Sequence, residues 1–183
     1  AGAAVFSNAS ASRLEPDVPL VVPEVNGAHL ALLERQRAER GWEGSLVCNP
    51  NCTAAILVTA LAPLAAAFGV EALACTSMQA ASGAGLDGVG ALELEANVLP
   101  YIAGEEQKLA RETALMLGRL TGAGRAACVE AHALALSAAC HRVPVVDGHT
   151  LSVAVRLGGA PPPEAVREAL ASFPGLAGLP TAP

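Results

Sequence analysis

The sequence predicts an α/β protein: the remnant of a parallel sheet, followed by a mixed, largely antiparallel sheet with helices packed on it. Three patterns carry that expectation. Early in the chain, short continuous apolar runs flank a helical stretch, as in a parallel sheet buried on both faces. In the middle, an apolar segment from Thr53 to Phe68 is long enough for a buried helix. Late in the chain, Leu151, Val153, Val155 and Leu157 alternate with Ser152, Ala154 and Arg156, the period-two signature of a half-buried strand.

In chain order, Ala3 to Ser7 is the first apolar run, leading into the small polar loop Asn8-Ala9-Ser10-Ala11-Ser12-Arg13, whose single cation suits an anion. Leu20-Val21-Val22 is a second short strand, closed by Pro23, and Ala28 to Arg40 is a polar, mostly exposed helix ending at Gly41. Ser45 to Cys48 is the third strand. A dinucleotide-binding sheet would open with strand, glycine loop and helix, and residue 1 is already past that point.

Asn49-Pro50-Asn51 is turn chemistry, because proline fixes one torsion and disfavours helix in the residue before it, while Asn51 can cap the helix that follows. Ala72 to Gln79 is the next strand. Ser82-Gly83-Ala84-Gly85-Leu86-Asp87-Gly88 then contains a literal G-x-G-x-x-G. The dinucleotide fingerprint also requires a helix opening within the motif, whereas Val89-Gly90-Ala91-Leu92 and Asn97-Val98-Leu99-Pro100 are further breakers. We read these glycines as leaving room for a substrate.

Gly104 to Leu120 is an amphipathic helix with Leu109, Met116, Leu117 and Leu120 on one stripe. Glu105, Lys108 and Glu112 share a neighbouring face that spacing alone reads as solvated and ion-paired. Ala127 to Leu136, His141 to Val146 and Leu151 to Leu157 are strands, with Asp147-Gly148 as a hairpin dipeptide between the last two. Pro162 to Phe173 is a closing amphipathic helix, and Leu179 to Pro183 carries no element.

Composition narrows the function. The 183 residues are 52% hydrophobic but only 3% aromatic, so the core must be built from Ala, Leu and Val. A net charge of -6 without a basic run argues against nucleic acid and against an anionic membrane, leaving a small molecule as partner. Five cysteines without regular spacing, and no signal peptide ahead of them, suggest reduced thiols in the cytoplasm. The apolar run from Cys52 to Gly69 approaches a membrane span, but Asn49-Pro50-Asn51 and Pro63 interrupt it and no Lys/Arg cluster flanks it. Cys48/Cys52 and Cys128/His132 do not match a zinc knuckle, so no metal is expected.

The stretch that organises the rest is Gly44 to Thr53, which delivers Cys52 from a strand end onto the start of a helix. There, unpaired backbone N–H groups and the positive dipole end stabilise a thiolate, and a thiolate attacks acyl carbons well. The alternative is that Cys52 is a small buried hydrophobe.

Seven blocks in order resemble one family, the aspartate-β-semialdehyde dehydrogenases of the archaeal and fungal type. They are Ser7-Asn8-Ala9-Ser10-Ala11, the segment Asp17 to Asn26, Asn49-Pro50-Asn51-Cys52, the segment Met78 to Gly85, the segment Asn97 to Ile102, Glu105-Glu106-Gln107-Lys108, and the segment Arg142 to Thr150. The resemblance implies NADP-dependent reduction of β-aspartyl phosphate to aspartate β-semialdehyde, in amino-acid biosynthesis, through a cysteine thioacyl intermediate. Its fold would be the C-terminal domain type of glyceraldehyde-3-phosphate dehydrogenase.

By the same resemblance Cys52 is the nucleophile and His149 its acid/base, with His141 as local rival. Arg142 grips the substrate carboxylate, and Glu105 holds the ammonium, with Glu106 beside it as the alternative. Gln79 orients the acyl group, while Arg13 and Lys108 bind phosphate. Residues 1–51 would be the end of an NADP-binding domain and 52–183 most of a catalytic and dimerisation domain. The segments that bind most of the NADP would lie outside this chain, so the chain alone is expected to bind NADP negligibly and to turn over poorly. Two other readings stand beside this one: malonyl-CoA reductase, which shares the thioester chemistry but brings no ammonium for Glu105, and a non-catalytic dimerisation module.

Overall fold

A computed structural model describes residues 2–85, 88–89 and 91–174. Part of the glycine-rich stretch (Leu86, Asp87, Gly90) and the tail from residue 175, including Leu179 to Pro183, lie outside the described residues. The chain is a mixed α/β structure with two main sheets. β1 (Ala4–Ser7) and β2 (Ser45–Cys48) pair in parallel, with Ser7 opposite Cys48. β3 (Val70–Gln79) is the centre of a second sheet, parallel to β6 (Ala135–Arg142) on one side and antiparallel to β7 (His149–Leu157) on the other. A small antiparallel pair, β4 (Arg119–Thr121) and β5 (Cys128–Glu130), stands apart.

Several local expectations change in the tertiary setting. The Leu20–Val22 strand reduces to a single bridge between Leu20 and Cys48, because Pro23 sits well in a first helical turn and starts the short α1 (Pro23–Asn26). The polar helix opens as a 3-10 turn over Gly27–Ala31 before α2 (Leu32–Arg40) begins, and it closes on Gly41 in the left-handed conformation. It is not mostly exposed, since His29, Leu32 and Gln36 are buried. The 127–136 and 141–146 strands are instead β5, a loop and β6, which ends at Arg142. Asp147-Gly148 therefore lies in a connection between strands that are not neighbours, since β3 lies between β6 and β7. In that order Leu136 of β6 and Leu151, Val155 and Leu157 of β7 pack against the core that holds Leu73 and Cys75 of β3.

Those helices are α3 (Cys52–Phe68), α4 (Glu105–Met116) and α5 (Pro163–Ala171). α3 continues through Pro63, which is buried. Its Leu57, Val58, Leu61 and Leu64 meet Leu73 and Cys75 of β3 and Leu109 and Met116 of α4 in one core. α4 stops at Met116, four residues short of the sequence expectation, and the chain turns at Gly118 into β4. A Cβ at Gly118 would lie 2.5 Å from the Glu130 carbonyl, so only glycine permits that approach. Among the described residues no helix is long and apolar enough to cross a membrane.

The first sheet is tied to its flanking helix by polar side chains. Gln36 is fully buried, and its amide donates to the Asp17 and Leu46 carbonyls at 3.1 and 3.0 Å while its oxygen accepts the Leu46 N–H at 2.7 Å. Arg40 donates to both Asp17 and Glu15, and its guanidinium lies 4.8 Å from the Trp42 ring centre. The Arg40 hydrogen bonds hold the Asp17 and Glu15 carboxyls below their ordinary range.

Replacing Gln36 by alanine removes the side-chain partner of one buried and two partly buried backbone groups. Gln36→Ala is expected to cost about 3 kcal/mol, read as a lower urea midpoint at unchanged slope. Depressed carboxylates contribute stability that is complete above their unfolded values and lost as pH falls through the lower folded ones. The melting temperature is thus expected to drop as pH falls below about 4, and to drop less steeply in Asp17→Asn.

Candidate active site

The strand register assembles one wall of a cleft. Gln79 is the last residue of β3, paired with Arg142 at the end of parallel β6 and with His149 at the start of antiparallel β7. Arg142, Gln79 and His149 therefore form a row across one end of the sheet, on the face that the helices cover. Side chains alternate on a strand, so His141 belongs to the opposite face with Met78 and Thr150. The expected rival to His149 stands away from the site.

The first turn of α3 supplies the second wall. Asn51 caps the helix, its side-chain oxygen accepting from Thr53 N at 2.9 Å and Ala54 N at 3.1 Å. Cys52, the first residue of α3, is exposed rather than buried, and its Sγ lies 3.0 Å from Nε2 of His149. On the other ring nitrogen, Nδ1 lies 2.6 Å from the Gly148 carbonyl and 3.2 Å from the Ala80 N–H, which also donates to that carbonyl. The shorter contact assigns the proton to Nδ1, donating to Gly148, and leaves the Nε2 lone pair facing the sulfur.

α4 closes the third side. Its spacing suggested a solvated acidic face, yet Glu105 and Glu112 are buried at 6% and 2% exposure. Glu105 accepts from the Asn51 side-chain amide and lies 3.8 Å from Lys108 Nζ. Glu106 points elsewhere, accepting from Cys140 N at 3.3 Å under the sheet. Glu112 accepts from the Asn51 backbone N–H and from Arg13 Nη1 at 3.0 Å. The polar loop after β1 thus brings Arg13 in, its Nη2 donating to Asn8 O at 2.7 Å. Glu105 and Glu112 are buried because they pack on the α3 start and on that loop, a contact that helix spacing alone does not encode.

The result is a cleft of about 450 Å³ lined by Cys52, Gln79, Glu105, Arg142, Arg13 and Lys108, with Asn8, Asn51 and Gly83 among its other residues. The structure thus brings all seven expected site residues together, His149 through its contact with Cys52. Gly83 packs so closely that a Cβ there would lie 2.7 Å from His149 Cε1 and 2.8 Å from Arg142 Nη1. Gln79 is buried and donates to Ser77 Oγ at 3.2 Å, and Arg142 donates to Ala80 O at 2.8 Å, which leaves part of each polar group for a ligand. Sequence reasoning missed Glu112 as part of this assembly, although its place two helical turns after Glu105 puts both carboxylates on one face.

Three of the other four thiols differ from Cys52 in burial. Cys48, Cys75 and Cys140 are buried, and burial raises all three, Cys75 to about 11, so they stay protonated and inert. Cys128 is exposed, with a 3.8 Å contact from its sulfur to the Val129 carbonyl. Among the described residues no cluster of three or more His, Cys, Asp or Glu is placed to hold a metal.

The chain resembles known proteins over nearly its whole length. The semialdehyde dehydrogenase dimerisation domain model matches residues 61–178. The chain is 46% identical over 172 residues to an aspartate-semialdehyde dehydrogenase of Methanothermobacter thermautotrophicus, covering 94% of this chain and 48% of that protein. It is 47% identical over 185 residues to the Archaeoglobus fulgidus enzyme of the same name, covering all of this chain and 52% of the relative. The crystal structure of aspartate semialdehyde dehydrogenase with NADP from Candida albicans superposes with a TM-score of 0.79 at 39% identity, over 94% of this chain and 49% of that one. The chain spans about half the length of the relatives it matches. With the domain model covering well over half of its residues, the chain belongs to the semialdehyde dehydrogenase family, whose dimerisation domain it carries.

Proposed function

We propose that the chain carries the acyl-transfer site of an NADP-dependent aspartate-β-semialdehyde dehydrogenase, acting on β-aspartyl phosphate in amino-acid biosynthesis. The observation that carries this reading is the 3.0 Å approach of Cys52 Sγ to His149 Nε2 at the start of α3. With Nδ1–H donating to Gly148, Nε2 takes the thiol proton as the sulfur attacks the acyl carbon. A C–S bond forms, the acyl–phosphate C–O bond breaks, and inorganic phosphate leaves a thioester on Cys52. NADPH, when bound, supplies the hydride that reduces this acyl group to the aldehyde. His149 then returns its proton to the departing sulfur.

The charges around the sulfur suit the three ionic groups of the substrate. Arg142 offers a planar fork of donors for the carboxylate, Glu105 a carboxylate for the ammonium, and Arg13 with Lys108 the cations for phosphate. Gln79 is the group that orients the acyl carbonyl. Malonyl-CoA would leave Glu105 without an ammonium, which ranks that substrate second.

For the cofactor, the residues present fit one end only. Ligands of parallel α/β sheets lie beyond the carboxyl ends of the strands. There β1 and β2 carry Asn8 and Asn49, whose side chains hydrogen-bond at 2.7 Å beside the cleft. These would border the nicotinamide. Neither strand runs through a glycine loop into a helix, so the pyrophosphate cradle is not supplied by them. Residues 1–51 accordingly belong with the nucleotide-binding part and 52–183 with the catalytic and dimerisation part. The open face of the second sheet bears small residues such as Ala74, Ala154 and Ser152, which suits close self-association in a homo-oligomer.

Acylation needs no cofactor and tests the proposal directly. Incubation with β-aspartyl phosphate is expected to add one aspartyl group to Cys52, seen by peptide mass, with stoichiometric release of phosphate. Cys52→Ser abolishes the thioester, and His149→Ala slows acylation by about a hundredfold. Labelling of Cys52 by malonyl-CoA but not by β-aspartyl phosphate would reverse the ranking of substrates. Gly83→Ala presses on the movable ends of His149 and Arg142, so it is expected to lower acylation by about tenfold while leaving the melting temperature nearly unchanged.

A further inference from the structure

We propose that Glu112 is a positioning residue of this site: a single buried carboxylate that sets the Cys52 sulfur and the Arg13 guanidinium relative to each other. The proposal rests on the reading of Cys52 as the nucleophile. Its two oxygens serve different partners, Oε1 accepting from Arg13 Nη1 at 3.0 Å and Oε2 from the backbone N–H of Asn51. Asn51 is the residue before Cys52 and the cap of α3. Holding its backbone nitrogen holds the peptide that carries the sulfur.

The grip is double. Glu105 and Glu112 lie two turns apart on α4, the first taking the Asn51 side-chain amide and the second its backbone N–H. Asn51 is therefore held at its backbone nitrogen, at its amide nitrogen and, through its side-chain oxygen, by the first turn of α3. Arg13, whose partner Glu112 is 99 residues away in the chain, is fixed by the same carboxylate on one side and by Asn8 O on the other.

Stability alone does not account for a charge here. Glu112 is 2% exposed, and a well-packed apolar residue avoids the desolvation cost that a buried ion pair carries. What only a carboxylate offers at this point is two acceptor oxygens, one for each of two donors on different segments. A glutamine of the same shape satisfies one donor and turns its own N–H₂ toward the other. The sulfur and the phosphate-binding cation then lose their common reference.

The test uses the whole chain and the variant Glu112→Gln, in two measurements. In single-turnover acylation by β-aspartyl phosphate, the saturating rate on Cys52 is expected to fall on the order of tenfold or more in protein whose circular dichroism shows it folded. A rate within about twofold of the parent in folded protein overturns the proposal. Hydrogen exchange resolved at the Asn51 amide gives a reading that does not depend on substrate. Exchange there is expected to quicken by about tenfold while the amides of α4 stay protected, and unchanged exchange also overturns the proposal. If the parent chain is not acylated at all, the assigned reaction fails, and the exchange measurement alone decides the positioning role. Should Glu112→Gln not fold, Glu112→Asp, which keeps the charge but draws both oxygens back by one methylene, is judged by the same two outcomes.

Discussion

The site depends on one register: Gln79 of β3 opposite Arg142 of β6 and His149 of β7. Parallel pairing on one side and antiparallel pairing on the other bring two strand ends and one strand start to the same edge of the sheet. Because side chains alternate, a slip of one residue in either pairing would turn Arg142 or His149 to the open face, where His141 now lies. The buried face of the sheet opposes such a slip. Leu73 and Cys75 of β3 and Cys140 of β6 are held under α3 and α4, and exposing them would forfeit that burial.

The composition makes this packing possible. With few aromatic side chains, α3 presents Ala54, Leu57, Val58 and Leu61 to its neighbours, all nearly inaccessible to solvent. Small side chains let the helix start approach closely enough for Asn51 to meet α4. That closeness has an electrostatic consequence. Glu105 and Glu112 leave water to meet Asn51 and Arg13, and each buried carboxylate is matched by a donor or a cation. The cleft is lined by the cations Arg13, Lys108 and Arg142, against Glu105 in its wall and Glu112 behind Arg13, so its surplus is positive although the chain as a whole is acidic.

Much of this was legible residue by residue. The Asn49-Pro50-Asn51 turn, the cap, the helix expected from Thr53 and found from Cys52, and the alternating last strand follow from local rules, and the structure contains them. Local rules failed where a distant segment decided the outcome. Leu20–Val22 has strand composition, but only Leu20 finds a partner. Asp147-Gly148 has hairpin chemistry, but β3 occupies the place between the strands it joins. Glu112 has the spacing of a solvated helix face, but Arg13 and Asn51 cover it.

Sequence by itself determined local features: a cysteine at a capped helix start, a histidine after a glycine turn, and charged residues spaced along one helix. Those follow from residue type and near neighbours, which the chain specifies directly. Tertiary structure decided that Cys52 and His149, 97 residues apart, meet at 3.0 Å, that His149 rather than His141 faces the sulfur, and that one glutamate accepts from both Asn51 and Arg13. The reason is that strand register and helix docking are set by burial of the whole core, a sum over many residues that no short segment contains.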